Sequence, residues 1–263
     1  MTMKKGIQTP HWVADAIFYQ IFPDRFAKST KTPKPTGLQS WDSPPTFHAF
    51  KGGDLVGVTE RLEQIRDSGF NAIYFTPIFT SAANHRYATY DYFQVDPMLG
   101  GNEAFSCLLT KAHKLGMKVV IDGVFNHTGR GFFAFHDILE NGHESPWLDW
   151  YHINPEWISS QKPIDAYPSP QKRRRGCGDT FKDFGFRSWW NHPMLPKLNT
   201  NTQAVREYIF QVAEHWVRIG VDGWRLDVPG DIDDDAFWAE FRQRVKKINP
   251  EAYIVGEIWD EAD

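Results

Sequence analysis

The chain has 263 residues, a formal net charge of −4 and a pI near 6.2. That is long enough for one large α/β domain and gives no electrostatic case for nucleic acid. Cys107 and Cys177 form neither a disulfide framework nor a metal-ligand spacing. No stretch is long and apolar enough to span a bilayer, and the first eight residues lack the apolar core of a signal peptide, so a soluble cytoplasmic protein with no membrane partner is expected. Aromatic residues make up 15% of the chain, with 11 Trp. Such a composition suits a large core and also the stacking of rings on sugar faces.

Helix and strand patterns alternate along the chain. An apolar run at 16–22 predicts a first strand, and a Pro-, Ser- and Lys-rich loop follows over 28–45. Val58, Leu62 and Ile65 recur at helical spacing, and Gly69 suits the left-handed position past that helix. Residues 72–79 predict the second strand. Phe105, Leu108, Leu109, Ala112 and Leu115 form the next helical stripe, with Asn102 as its expected cap. Cys107 falls in this helix. A third strand begins at Lys118.

The helix with Val205, Ile209, Val212 and Trp216 precedes a fourth strand, and the helix with Phe237, Phe241, Val245 and Ile248 precedes a fifth, at 252–256. The joints Leu115-Gly116-Met117 and Ile219-Gly220-Val221 repeat one punctuation, helix then Gly then strand. This βα repeat favours a parallel sheet with right-handed crossovers.

The interval from about 125 to 201 is too long for a structureless loop. It predicts an irregular subdomain inserted after strand three, with Trp147, Trp150 and Tyr151 in its core. The basic run 172–175 and Cys177 read as solvated loop. The expected organisation is barrel over 1–127, insertion over 128–199 and barrel again over 200–263. The fold class is α/β, a (β/α)8 TIM-type barrel that is incomplete here. About five strands are found where closure takes eight, so the remaining strands are expected from a longer chain or another chain.

Several strands end in ionisable groups, which is where a (β/α) barrel places its chemistry. Strand three delivers Asp122, with Asn126 and His127 just after it, strand four delivers Arg225 and Asp227, and strand five delivers Glu257. Alternation along a strand turns Arg225 and Asp227 to one side. A guanidinium there is expected to keep the carboxylate ionised. Two carboxylates so placed suit glycoside hydrolysis.

These segments resemble the α-amylase family of glycoside hydrolases. Asp122-Gly123-Val124-Phe125-Asn126-His127, Gly223-Trp224-Arg225-Leu226-Asp227 and Val255-Gly256-Glu257-Ile258-Trp259 look like its motifs on strands three, four and five. Leu195-Pro196-Lys197-Leu198-Asn199 and the segment Tyr19 to Phe26 are similar to the neopullulanase, cyclomaltodextrinase and maltogenic amylase branch. The resemblance implies a retaining hydrolase of α-1,4 and α-1,6 glucosidic bonds, with the carboxyls about 5 to 5.5 Å apart. It makes Asp227 the nucleophile, Glu257 the acid/base and Arg225 the partner that holds Asp227 at a low pKa. His127, His85, Tyr87 and Trp259 become substrate-binding residues, with Tyr87 and Trp259 as aromatic platforms. Asp122 and Asn126 become structural support.

The resemblance implies no required cofactor. Some members of the family bind calcium through an Asn- and Asp-rich loop after strand one. Here that loop reads Lys28-Ser29-Thr30-Lys31 and departs from the pattern, although Gly52 and Asp54 remain, and Asn126 is a second, unspecific oxygen donor. The strand-seven motif, with a third carboxylate and a histidine, lies beyond this sequence. Two alternatives stay open: a glucan-binding unit without turnover, and transfer to a sugar acceptor in place of water. A metal-dependent barrel hydrolase is disfavoured, since no His-rich ligand set marks the strand ends.

Overall fold

The computed structural model describes residues 8–169 and 178–259; the basic run 172–175 and Cys177 lie outside them. The first regular elements are strand β1 (Phe18–Ile21), helices α1 (Pro23–Phe26) and α2 (Leu55–Asp67), and strands β2 (Ala72–Phe75), β3 (Phe79–Ser81) and β4 (Thr89–Val95). Helix α3 (Gly101–Lys114) and strand β5 (Lys118–Gly123) follow, then the short helices α4 (Phe133–Asn141), α5 (Pro155–Ser159) and α6 (Thr180–Asp183). Helix α7 (Gln203–Ile219), strand β6 (Gly223–Leu226), helix α8 (Asp235–Ile248) and strand β7 (Tyr253–Gly256) close the series.

Five strands form one parallel sheet in the order β1-β2-β5-β6-β7. Its two faces differ because alternate side chains point opposite ways. Ile21, Ile73, Phe75, Val119, Ile121, Trp224 and Leu226 pack into the continuous core. The opposite face carries Gln20, Tyr74, Val120, Asp122, Arg225 and Val255, aligned by the strand register. Helix α7 shows why the apolar face is covered. It buries Val205, Ile209, Phe210, Val212, Ala213, Trp216 and Val217, and each large apolar side chain so buried stabilises by about 1.5–3 kcal/mol. Trp216 also donates its Nε1 proton to Tyr92 O at 2.7 Å, tying the helix to β4.

The helix–glycine–strand joints hold: Gly116 (φ 73°) and Gly220 (φ 119°) take the left-handed conformation that ends each helix and starts the next strand. Cys107 lies exposed on α3. The sheet curls enough that Phe18 on β1 and Tyr253 on β7 approach to 6.2 Å between ring centroids. Trp12 bridges them, donating Nε1–H to Glu251 O at 2.9 Å. β1 and β7 remain the edges of this sheet, so the barrel is not closed among the described residues.

Two sequence expectations are corrected. The second strand does not run to residue 79. It leaves the sheet after Phe75, because Pro77 has no N–H for a ladder, and β3 instead pairs antiparallel with β4. Asn102 does not cap α3, whose cap residue is Gly100. Its amide bridges β4, accepting from Val95 N (2.7 Å) and donating to Phe93 O (3.0 Å).

Between β5 and α7 the chain makes short helices and isolated bridges. The bridges His127↔Lys197 and Tyr151↔Leu198 lay the segment Leu195 to Asn199 against the end of β5. Trp150 and Tyr151 are buried, and Trp150 packs on Tyr208 of α7 (centroids 5.5 Å). The core of this segment is therefore continuous with that of the sheet.

Candidate active site

The ends of β5, β6 and β7 bring three carboxylates onto one guanidinium. Register places Asp122 beside Arg225. Asp227 and Glu257 each sit one residue past their strand, fixed by Asp227 N→Gly123 O and Glu257 N→Leu226 O, both 3.0 Å. Arg225 Nη1 donates to Asp122 Oδ1 (3.0 Å) and Oδ2 (2.9 Å) and to Asp227 Oδ1 (2.9 Å). Its Nη2 reaches Glu257 Oε1 at 2.6 Å. Asp122 is fully buried and also accepts from the hydroxyls of Tyr74 and of Tyr87 (3.1 Å).

The electrostatics follow from burial and from that stoichiometry. Burial, then the charge of Asp122, pushes Asp227 up to about 7; Glu257 adds to the rise and Arg225 offsets only part of it. Burial likewise lifts Asp122 to about 6 against the pull of Arg225 and the tyrosine hydroxyls. For Arg225 burial works against protonation, but Asp122 outweighs it and holds the guanidinium above its ordinary range. The expectation that Arg225 keeps Asp227 at a low pKa is thus corrected. One positive charge serves three buried or half-buried carboxylates, and the shortfall falls on Asp227.

These groups open into a cleft of about 620 Å³ whose wall includes His85, Tyr87, His127, Trp189, Arg225, Asp227, Glu257 and Trp259. His127 is buried, which pushes its pKa down to about 3 and keeps the ring neutral. Asn126 Nδ2 faces His127 Nδ1 at 3.3 Å, while His127 Nε2 has no hydrogen-bond partner within 3.5 Å among the described residues. A buried polar atom left free at a cleft wall suits a ligand hydroxyl. The Tyr87 ring lines the cleft with its hydroxyl anchored on Asp122, and His85 Nδ1 accepts from Tyr87 N at 3.1 Å, setting the turn between them. Asn126 O accepts from Leu198 N at 3.0 Å, so this residue fastens the Leu195 to Asn199 segment.

Trp259 is 62% exposed at the rim. It meets Trp190 edge-on (5.5 Å, 64°), Trp190 stacks on Trp189 (4.7 Å, 9°), and Trp189 stacks on His127 (5.2 Å, 19°). Sequence reasoning did not single out Trp189 and Trp190; the doubled Trp just before the Leu195 motif was the available signal. Three non-glycine residues with left-handed backbone adjoin site residues, namely Arg86 (φ 62°), Trp190 (φ 46°) and Val228 (φ 37°). Such conformations cost about 1–3 kcal/mol each and cluster where side chains must be aimed. Val228 is the clearest, since a β-branched residue rarely adopts it.

The calcium site implied for the loop after β1 does not fit this chain. Asp54 Oδ2 is already paired with Lys34 Nζ at 3.1 Å. Among the described residues no group of three or more His, Cys, Asp or Glu side chains is placed to hold a metal. No helix among them is long and apolar enough to cross a membrane.

Carboxylates gathered at the C-terminal ends of parallel strands are the arrangement expected of an α/β-barrel glycosidase, and the chain resembles proteins of that kind. The profile "Alpha amylase, catalytic domain" matches residues 20–263. The chain is 44% identical to a cyclomaltodextrinase from Bacillus sp over 97% of this chain and 42% of that protein. It is 42% identical to neopullulanase 2 of Thermoactinomyces vulgaris, over 97% of this chain and 40% of that protein. The solved structure of a debranching enzyme from Nostoc punctiforme superposes with a TM-score of 0.81 at 52% identity, covering 97% of this chain and 50% of that one. The chain belongs to the α-amylase catalytic-domain family. It spans half or less of the length of these relatives.

Proposed function

We propose that this chain carries the catalytic centre of a retaining glycoside hydrolase that cleaves α-1,4 and α-1,6 glucosidic bonds in maltooligosaccharides, cyclodextrins or pullulan. The observation that carries the reading is the single Arg225 guanidinium shared by Asp122, Asp227 and Glu257 at three adjacent strand ends. In this mechanism Asp227 attacks the anomeric carbon while Glu257 protonates the departing glycosidic oxygen. Glu257 then takes a proton from a water whose oxygen bonds to the anomeric carbon, breaking the bond to Asp227 and releasing the sugar. The reaction needs one proton on Glu257 and none on Asp227. The pKa of about 7 at Asp227 leaves that carboxyl about half protonated near neutral pH, and the ionised half is the attacking form.

His127 Nε2 would bond a hydroxyl of the reacting sugar, with Tyr87 beneath that sugar and Trp259, Trp190 and Trp189 stacking further units. Asp122 orients Arg225, and Asn126 orients His127. The same reading divides the chain into barrel (1–127 and 200–263) and an insertion (128–199) overhanging the cleft. It takes the protein to be cytoplasmic and to need no cofactor. Relatives named cyclomaltodextrinase and neopullulanase support this choice of substrate class.

A second reading, glucan binding without turnover, rests on Trp189, Trp190 and Trp259 at the cleft rim, which would hold sugar rings whatever the carboxylates do. Reducing-sugar release from maltooligosaccharides and cyclodextrin, measured beside Asp227→Asn, separates the two. Turnover lost in the variant supports the hydrolase; binding with no release from either protein supports the second reading.

A further inference from the structure

The loop between α1 and α2 is built around two lysine side chains in unusual places. Lys51 is only 5% exposed. Its Nζ lies among four oxygens: Ser40 O (2.6 Å), Trp41 O (3.0 Å), Ser43 Oγ (3.0 Å) and Ser43 O. The three protons of an ammonium are shared over this set. The Lys51 backbone is fixed in turn, because the fully buried Asp24 accepts from Lys51 N (2.8 Å) and Gly52 N (3.1 Å). Lys34 Nζ pairs with the fully buried Asp54 (3.1 Å) and donates to Met98 O (2.5 Å). Asp54 spends its other capacity on Gly57 N (2.7 Å), Ser29 N (3.0 Å) and Ser29 Oγ (3.2 Å).

Gathering carbonyl, hydroxyl and carboxylate oxygens from several points of a loop is what a hard cation such as calcium does, with 6–8 oxygens around it. Here the positive charge is covalently attached. A divalent cation at Asp54 would meet the Lys34 ammonium, and one among the carbonyls at 40, 41 and 43 would meet that of Lys51. The held loop matters for the cleft. Asn84 Nδ2 donates to Phe47 O (3.1 Å) and Ala49 O (2.8 Å), and Phe47 (79% exposed) and His48 border the cleft beside Asn84 and His85.

We propose that the ammonium groups of Lys34 and Lys51 take over, from within the chain, the role of a loop-organising divalent cation, so that the Phe47–His48 wall keeps its shape without metal. Only the use of that wall in glucan binding rests on the function proposed above.

The test compares thermal midpoints and limited chymotrypsin digestion in EDTA and in calcium chloride, for the wild type, Lys34→Met and Lys51→Met. The wild-type midpoint should be the same in both media, and Trp41 and Phe47 should resist cleavage equally. A midpoint that calcium raises, as binding to the folded state requires, overturns the proposal. Lys51→Met should be cut first within the 39–50 loop, and Lys34→Met should have a lower midpoint that calcium partly restores at the freed Asp54. A Lys51→Met loop as resistant as the wild type, or a Lys34→Met midpoint unchanged, also overturns it. Should Lys51→Met fail to fold, the wild type and Lys34→Met decide. None of these measurements uses a glucan, so a chain without turnover leaves the result intact.

Discussion

Asp227→Asn separates the chemistry of the site from its stability, because the two should move in opposite directions. The pKa of Asp227 rises from the ordinary 3.8 to about 7 in the folded chain. Each pH unit is worth about 1.36 kcal/mol, so carrying this charge in the folded state costs about 4 kcal/mol once it is fully ionised. Below pH 4 both folded and unfolded chains hold the proton and nothing is lost. As pH rises toward 7 the unfolded chain ionises while the folded one resists, so wild-type stability declines, and above 7 the whole cost is present. Asparagine keeps an oxygen for Arg225 Nη1 and carries no charge, which removes this slope. The variant should match the wild type in urea unfolding near pH 4 and exceed it at pH 8, by up to about 4 kcal/mol. It should release no reducing sugar at either pH. An Asn variant less stable than the wild type at pH 8, or a gap that does not change with pH, would refute the assignment of the charge shortfall to Asp227.

Four further substitutions probe the other groups. Arg225→Met strands the buried Asp122 without its guanidinium and should destabilise by about 3–5 kcal/mol in urea unfolding; a loss below about 1 kcal/mol would contradict the central role given to that pair. Glu257→Gln should slow maltooligosaccharide cleavage by about 10²–10⁴-fold while sparing aryl glycosides whose leaving groups need little protonation, and equal losses on both would remove Glu257 as the acid. Trp190→Ala and Trp259→Ala alter exposed rings, so stability should stay within about 0.5 kcal/mol while KM for long oligosaccharides rises. An unchanged KM argues against sugar stacking at the rim.

What the sequence could show was governed by distance along the chain. Asp122, Arg225, Asp227 and Glu257 were legible because strand alternation acts over two residues and the groups stand at the ends of three apolar runs. The barrel repeat was legible for the same reason, through joints such as Ile219-Gly220-Val221. Tyr74 was not, since its hydroxyl finds Asp122 across 48 positions and only the sheet register brings them together. The hairpin of β3 and β4 was hidden in a run that Pro77 interrupts.

The pKa of Asp227 failed for a deeper reason. Sequence neighbours supply Arg225 alone, and one cation beside one carboxylate predicts a lowered value. The fold buries the carboxyl and adds Asp122 and Glu257 to the same guanidinium, reversing the sign. Lys34 and Lys51 repeat the lesson in the opposite sense. Sequence reasoning singled out neither lysine, and only the carbonyls and the Asp54 carboxylate that the loop turns inward make them interior cations. In both places local spacing identifies which charged groups are present, but the burial of each and the partners around it, which decide its state, are set by the fold.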